Sequence, residues 1–328
     1  MKFLVTGVAG QLGHDVMNEL AKRGHTGIGS DIAPAYSGIA DNTAVTQMPY
    51  VSMDITDQAS VERTILEIHP DAVIHCAAWT AVDLAEDDDK VEKVRAINAT
   101  GTNYIAKICK KLDCKMMYIS TDYVFDGQGT VPWDPDCKDY KPLNVYGQTK
   151  LEGELAVSSL LQKYFIVRIA WVFGKNGKNY IKTMLSLGKN HDTLRIVNDQ
   201  IGTPTYTFDL ARLLVDMIET EKYGYYHATN SELSDKEGAY TQDGCKTGYI
   251  SWFDFTREIF RQAAALGYEE YAPENTELIP VTTAEYGASK AVRPFNSRLD
   301  KKKLIENGFT PLPAWPDAIR RYLKEIEI

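Results

Sequence analysis

At 328 residues the chain is long enough to bury a sizeable core, and a domain prior of roughly 100–200 residues points to two lobes or one large α/β unit, expected here to be intertwined. Its 36 basic against 45 acidic residues give a net charge of −9, which supports solubility and argues against nucleic acid or an anionic membrane as the main partner. The five cysteines (Cys76, Cys109, Cys114, Cys137, Cys245) are odd in number and lack both a C-x-x-C pair and clustered histidines, so neither a disulfide framework nor zinc is indicated and reduced, mostly packing thiols are expected.

The opening MKFLVTG has an apolar run too short for a signal-peptide core, and no later stretch approaches a membrane span, so a cytoplasmic protein is expected. KFLVTG reads as a strand and QLGHDVMNELAKRG as an amphipathic helix. Between them lies GVAGQLG, in which Gly7, Gly10 and Gly13, with Gln11 and Leu12 before the last, allow a tight turn, approach to a pyrophosphate and close helix packing. The first gap is one residue longer than in the commonest dinucleotide fingerprint, but strand before and helix after favour a nucleotide over a plain turn. TGIGSD forms the next strand and ends at Asp31, where an acid accepts hydrogen bonds from an adenosine ribose or simply caps a turn. No Lys or Arg lies between Gly24 and Glu62, so nothing nearby offsets that carboxylate's repulsion of a 2′-phosphate, and NADH is expected to serve at least as well as NADPH. After the third strand, VSMDITD offers Asp54 and Ile55 to the adenine amino group and ring face, Asp54 reading equally well as an N-cap for the helix beginning near Asp57. DAVIHCAAW ends in Ala77 and Ala78, small enough for close approach of a cofactor or of a helix.

YISTDYVFDG ends another strand and offers Thr121 at a carboxyl edge, where open α/β sheets place ligands. In NVYGQTKLEGE, Tyr146 and Lys150 stand four apart in a helix and so share a face. A phenol titrating near ~10 is a poor acid-base group at neutral pH unless a neighbouring positive charge favours its phenolate, and Lys150 offers that charge. The spacing alone is common on ordinary surface helices. With YFIVRIAWVF as a further strand, the alternation gives an α/β class with a doubly wound parallel sheet. Residues 1–173 are assigned to a dinucleotide-binding core carrying the catalytic groups. Residues 174–328 are assigned mainly to a smaller mixed α/β substrate-binding lobe, with some segments returning to the core. Helices are expected near 178–190, 207–220, 251–266 and 314–326, and the polar stretch 232–249 as a surface loop.

Taken together, the glycine triplet, AAWTAVDLAE, INATGT, STDYVFDG, PLNVYGQTKLEGE, RIAWVFG, NDQIGTPTYT, YYHATNS and RPFNSRLDKKKL resemble the extended short-chain dehydrogenase/reductase family, from Met1 to the carboxyl end. The resemblance implies a Rossmann-type core and, more narrowly, reduction of the C4 ketone of a dTDP-sugar, dTDP-4-dehydro-6-deoxy-L-mannose, with hydride from NADH or NADPH. It casts Thr121 as the donor to the ketone oxygen, Tyr146 as the acid, and Lys150 as the group that holds the nicotinamide ribose and lowers the tyrosine pKa. By the same resemblance Asp122, Tyr123 and Trp171 contact the sugar or its base, Asn98 positions the lysine through solvent, and Arg293 meets a diphosphate. The plainer readings are a core aromatic for Trp171, a polar interruption in a helix for Asn98 and a surface ion pair for Arg293. Tyr123 stands where related dehydratases carry a glutamate, which favours net reduction over dehydration. No metal is assigned, since Asp209 in TPTYTFDLA lacks a clear acidic partner, and the resemblance allows a homodimer. Two alternatives remain: a reductase of another 4-keto sugar nucleotide, and a non-catalytic dinucleotide-binding subunit like the regulatory subunit of methionine adenosyltransferase.

Overall fold

The computed structural model describes residues 1–234, 238–242, 244–287, 289–326 and 328. Seven strands, β1 (Lys2–Thr6), β2 (Thr26–Asp31), β3 (Tyr50–Ser52), β4 (Ala72–His75), β5 (Lys115–Thr121), β6 (Tyr164–Ile169) and β7 (Gly224–His227), form one sheet in the order β7-β6-β5-β4-β1-β2-β3. Every pairing is parallel. The chain starts at the centre, runs outward to β3, then restarts at β4 on the other side of β1, and the crevice at that switch point is where such sheets bind ligands.

Both faces of the sheet are covered, which is why its inner strands read as unbroken apolar runs. Phe3 and Val5 pack with Leu12 and Val16 of the helix Gln11–Lys22 and with Leu210 and Leu214 of the helix Thr207–Ile218. Leu4 and Val73 face the opposite layer, against Val61, Ile105 and Val157 from the helices Gln58–Ile68, Thr102–Leu112 and Val145–Leu160. After residue 173, the helix Thr207–Ile218, β7 and the segment carrying Leu304, Phe309 and Leu312 join the sheet core. The helix is apolar around most of its circumference, so only a two-sided burial site accommodates it.

A second core, with Phe173, Leu185, Phe255, Ile259, Trp315 and Ile319, unites the helices Tyr180–Gly188, Trp252–Ala265 and Trp315–Glu325. A parallel strand pair, Thr193–Val197 with Glu277–Val281, lies beside it. YFIVRIAWVF is not one strand: Trp171 adopts φ +51°, and Val172–Phe173 departs to pair with Thr205–Tyr206. The stretch 232–249 is also not a simple surface loop. Residues 235–237 and 243 lie outside the described residues, but Cys245 and Thr247 are buried and Lys246 pairs with Asp254 at 2.7 Å, so its second half packs on the lobe. All five cysteines are free, and no helix among the described residues is long and apolar enough to cross a membrane.

Candidate active site

A cavity of about 1350 Å³ opens at the carboxyl ends of the central strands, with the smaller lobe forming its far wall. Every residue expected at the dinucleotide or the sugar lines it except Asn98.

The glycine loop explains its own composition. Gly7 has φ +72°, and a Cβ there would lie 2.6 Å from the Ala77 nitrogen, while one on Gly13 would lie 2.3 Å from the Gly7 oxygen. Both ends of the motif are therefore closed to side chains by backbone, whereas a Cβ on Gly10 would meet only the Gly7 oxygen, at 3.2 Å. No side chain caps the helix that starts at Gln11, which leaves first-turn N–H groups of Gln11 and Leu12 on the cavity wall as a place for phosphate. Asp31 accepts hydrogen bonds from Ala9 N at 3.1 Å and Ile32 N at 2.8 Å, so its carboxylate ties down the glycine loop as well as facing the cavity. Asp54 accepts from the Thr56 amide and hydroxyl at 2.9 and 2.7 Å; the helix cap is Asp57, which accepts from Ala59 N. Ala77 is placed by a buried relay: its N–H donates to Thr6 Oγ1, which meets His75 Nδ1 at 2.7 Å, and His75 Nε2 meets Thr102. Burial pushes His75 down to about 3, so the ring is a neutral spacer.

Asn98 sits in a π-helical turn, Ala96–Gly101, inside the helical run Val91–Leu112. Its side chain accepts from Trp79 N at 2.8 Å and donates to Trp79 O and Thr149 Oγ1, both at 3.2 Å. Its carbonyl, displaced by the wider turn, receives the Tyr118 hydroxyl, which also reaches the Lys150 carbonyl. The Asn98 side chain thus bonds the Trp79 backbone and the hydroxyl of Thr149, the residue before Lys150, and does not itself line the cavity.

Thr121, Tyr146 and Lys150 converge on the cavity. Thr121 Oγ1 donates to Asp122 Oδ1 at 3.0 Å, accepts from Tyr123 N at 3.2 Å and faces the Tyr146 phenol. Burial pushes the Tyr146 phenol well above its ordinary value, with Thr121 opposing and Asp122 adding. Lys150 Nζ donates to Ile119 O at 2.6 Å and lies 4.0 Å over the Tyr118 ring. Burial lowers it to about 7, against the pull of Glu154 and Cys76. The expectation that Lys150 depresses the tyrosine is therefore not met here: the ammonium is turned to a backbone carbonyl, and desolvation governs the phenol. Burial likewise raises Asp122 to about 6, held back by Ser297 and Thr121.

On the sugar side, Tyr123 packs edge-on to Tyr146 with centroids 5.5 Å apart, and Trp171 stacks on Trp252 at 3.9 Å. Trp171 is both a lobe-core aromatic and a cavity wall. Arg293 forms a two-pronged pair with Asp83, at 3.1 and 2.6 Å, so the ion-pair reading describes its present partner. Asp209 is held by Arg321 at 2.8 and 2.7 Å and by Asn230, and among the described residues no group of three His, Cys, Asp or Glu could hold a metal. Sequence reasoning missed Tyr180, Lys178, Arg195, Gln200, Trp252 and Tyr286 on the cavity wall. NDQIGTPTYT marks the neighbourhood of Gln200, but nothing local tells which side chains of scattered segments turn inward.

The family described as RmlD substrate binding domain matches residues 1–328. The chain belongs to this family. A relative, the dTDP-4-dehydrorhamnose reductase of Aggregatibacter actinomycetemcomitans, is 35% identical over 327 residues, covering 97% of each chain. A solved dTDP-4-dehydrorhamnose reductase from Clostridium acetobutylicum superposes with a TM-score of 0.82 at 34% identity, covering all of both chains. Another, from Bacillus anthracis and in complex with NADP, gives 0.81 at 34% identity over 99% of each.

Proposed function

We propose that the chain is an NAD(P)H-dependent reductase that converts the C4 ketone of dTDP-4-dehydro-6-deoxy-L-mannose to the alcohol, yielding dTDP-L-rhamnose for cell-surface polysaccharide. Curated relatives named for this reaction, and a solved relative holding NADP, support it. The observation that carries it is the meeting of Thr121, Tyr146 and Lys150 on one cavity with a glycine loop whose backbone admits no side chain at Gly7 or Gly13.

The dinucleotide, when bound, supplies the hydride. The chain does the rest. Tyr146, kept protonated by its buried setting, gives its proton to the ketone oxygen as negative charge develops there, and Thr121 holds that oxygen by a hydrogen bond. Lys150 turns its ammonium to the ribose hydroxyls, for which it must carry a proton. First-turn amides at Gln11 and Leu12 take the pyrophosphate, Asp31 the adenosine ribose, and Asp54, Ile55, Ala77 and Ala78 the remaining dinucleotide walls. Asp122, Tyr123 and Trp171 flank the sugar. Arg293 serves the diphosphate by exchanging Asp83 for it, since both acceptors suit a guanidinium fork. On this reading NADH works at least as well as NADPH, because Asp31 repels a 2′-phosphate and no cation lies between residues 24 and 62. The same reading takes the enzyme to act in the cytoplasm and allows a homodimer.

The test is nicotinamide oxidation with enzymatically prepared dTDP-4-dehydro-6-deoxy-L-mannose, NADH and NADPH in parallel, with the product identified by chromatography. Turnover to dTDP-L-rhamnose is expected. Dinucleotide binding with no turnover of this sugar would move the assignment to another 4-keto sugar nucleotide or to a binding subunit.

A further inference from the structure

Residues 174–179, which lead from Phe173 of the second core into the lobe helix Tyr180–Gly188, cross the outer side of the glycine loop. Asn176 is the centre of that crossing. It is 5% exposed, and its amide nitrogen donates to Ala9 O at 2.9 Å and to Gly10 O at 3.2 Å. Its amide oxygen accepts from Ile39 N at 3.1 Å, on the chain that follows Asp31. Neighbouring contacts hold the strap in place: Asn179 Nδ2 donates to Gln11 Oε1 at 3.1 Å, Lys175 pairs with Asp41 at 3.2 Å, and Lys182 donates to Gly177 O at 2.9 Å.

We infer that Asn176 is a positioning residue for the dinucleotide, fixing from the lobe side the Gly10–Gln11 peptide plane, whose amide faces the pyrophosphate, and the Ala9–Gly10 plane that precedes it. This role rests on the dinucleotide reading above and on the direction of two peptide planes. In a trans peptide the N–H points away from the carbonyl that shares its plane. The Gly10 carbonyl is held between His14 N and Asn176 Nδ2, so the Gln11 N–H is aimed the opposite way, onto the cavity wall. The Ala9 carbonyl is held likewise, and the Gly10 N–H of that plane closes onto Gly7 O at 3.0 Å. Glycine at 10 resists neither rotation by itself, and the loop's own bonds, Gly10 N to Gly7 O and His14 N to Gly10 O, are joined by Asn176 from outside in selecting one orientation. The same side chain, through Ile39 N, ties the segment after Asp31 to this loop, so the pyrophosphate and adenosine-ribose ends share one support.

Two variants separate this role from simple packing. Asn176→Ala removes all three hydrogen bonds. Asn176→Asp keeps the shape and the acceptor for Ile39 N but cannot donate to the two carbonyls, and it carries the test should the alanine variant not fold. For both, NADH and ADP-ribose affinities measured by titration without sugar are expected to fall about tenfold, since part of the lost hydrogen bonding is replaced by water and by the loop's own bonds. dTDP affinity, and kcat at saturating NADH and sugar, are expected to stay within about twofold, because the orientation is restored once the dinucleotide is bound. If Asn176→Asp binds NADH as the parent chain does, or if dTDP affinity falls equally, the residue is packing and the inference is wrong. Absence of NADH binding by the parent chain would instead overturn the dinucleotide reading itself.

Discussion

Two buried cations, both within reach of one carboxylate, are treated differently by this fold. Arg168 on β6 is fully buried and saturated: Glu154 accepts from it at 2.8 and 2.7 Å, Pro135 O and the Tyr140 hydroxyl accept at 3.1 Å each, and the rings of Phe125 and Tyr225 flank it at 5.0 and 4.8 Å. Lys150, one helical turn before Glu154, has the Ile119 carbonyl and the face of Tyr118. The consequence is electrostatic. Arg168 keeps its charge, its guanidinium held above its usual value by Glu154 against burial, while Lys150 sinks to about 7. A buried charge given all its partners is a fixture of the scaffold; one left with spare donors on a cavity wall is kept for a ligand.

The largest expected effect breaks the functional side of that contrast. Tyr146→Phe removes the proton donor and little contact area, so kcat is expected to fall by roughly 10²–10⁴-fold with NADH affinity nearly intact. Unchanged turnover in a steady-state assay would reject Tyr146 as the acid. Next comes the structural side: Arg168→Met leaves Glu154 buried without its partner, which is expected to cost about 3–5 kcal/mol in urea unfolding. A loss below about 1 kcal/mol would mean that water or the neighbouring hydroxyls replace the pair.

Lys150→Met sharpens the comparison because it deletes a charge the fold does not satisfy. The folded chain releases the Lys150 proton above about 7, whereas the unfolded chain holds it to the ordinary 10.5. The unfolded state therefore binds more protons across that window, and the lysine's contribution to stability rises with pH through it. Lys150→Met is expected to gain stability relative to the parent chain as pH falls from 10.5 towards about 7 and to keep a constant gain below that, read from melting temperatures across pH. A gap independent of pH would show that Lys150 stays charged when buried. By the same linkage, NADH binding above about 7 is expected to take up a proton, visible in calorimetry with buffers of different ionisation heat, and the variant should lack that uptake. The smallest effect is at Asp31→Ala, where removal of the carboxylate should improve NADPH relative to NADH by roughly fivefold while loosening Ala9. An unchanged coenzyme ratio would place Asp31 away from the ribose.

Legibility in the sequence followed the range of the forces involved. GVAGQLG was readable because its glycines answer to backbone contacts within the loop and with the adjacent strand ends. Tyr146 and Lys150 were readable because helical periodicity puts them on one face and the motifs around them resemble those of the reductase family. Asn176 and Trp252 were not, because nothing near either residue sets its direction; one is turned by Ala9 and Gly10, far away in the chain, and the other by stacking on Trp171. Arg293 was open to a diphosphate or an ion pair, and the acid it pairs with, Asp83, reaches it only through folding.

The sequence by itself determined the doubly wound sheet and the glycine loop, since these rest on periodicity, turn chemistry and the permitted volume of a Cβ, while its family resemblance pointed to the residues that group at the strand ends. Only the tertiary structure decided the electrostatic state of those groups. Whether Lys150 is charged, whether Tyr146 is lowered or raised, and what Arg293 holds depend on desolvation and on partners from distant segments, and neither quantity is a property of local sequence.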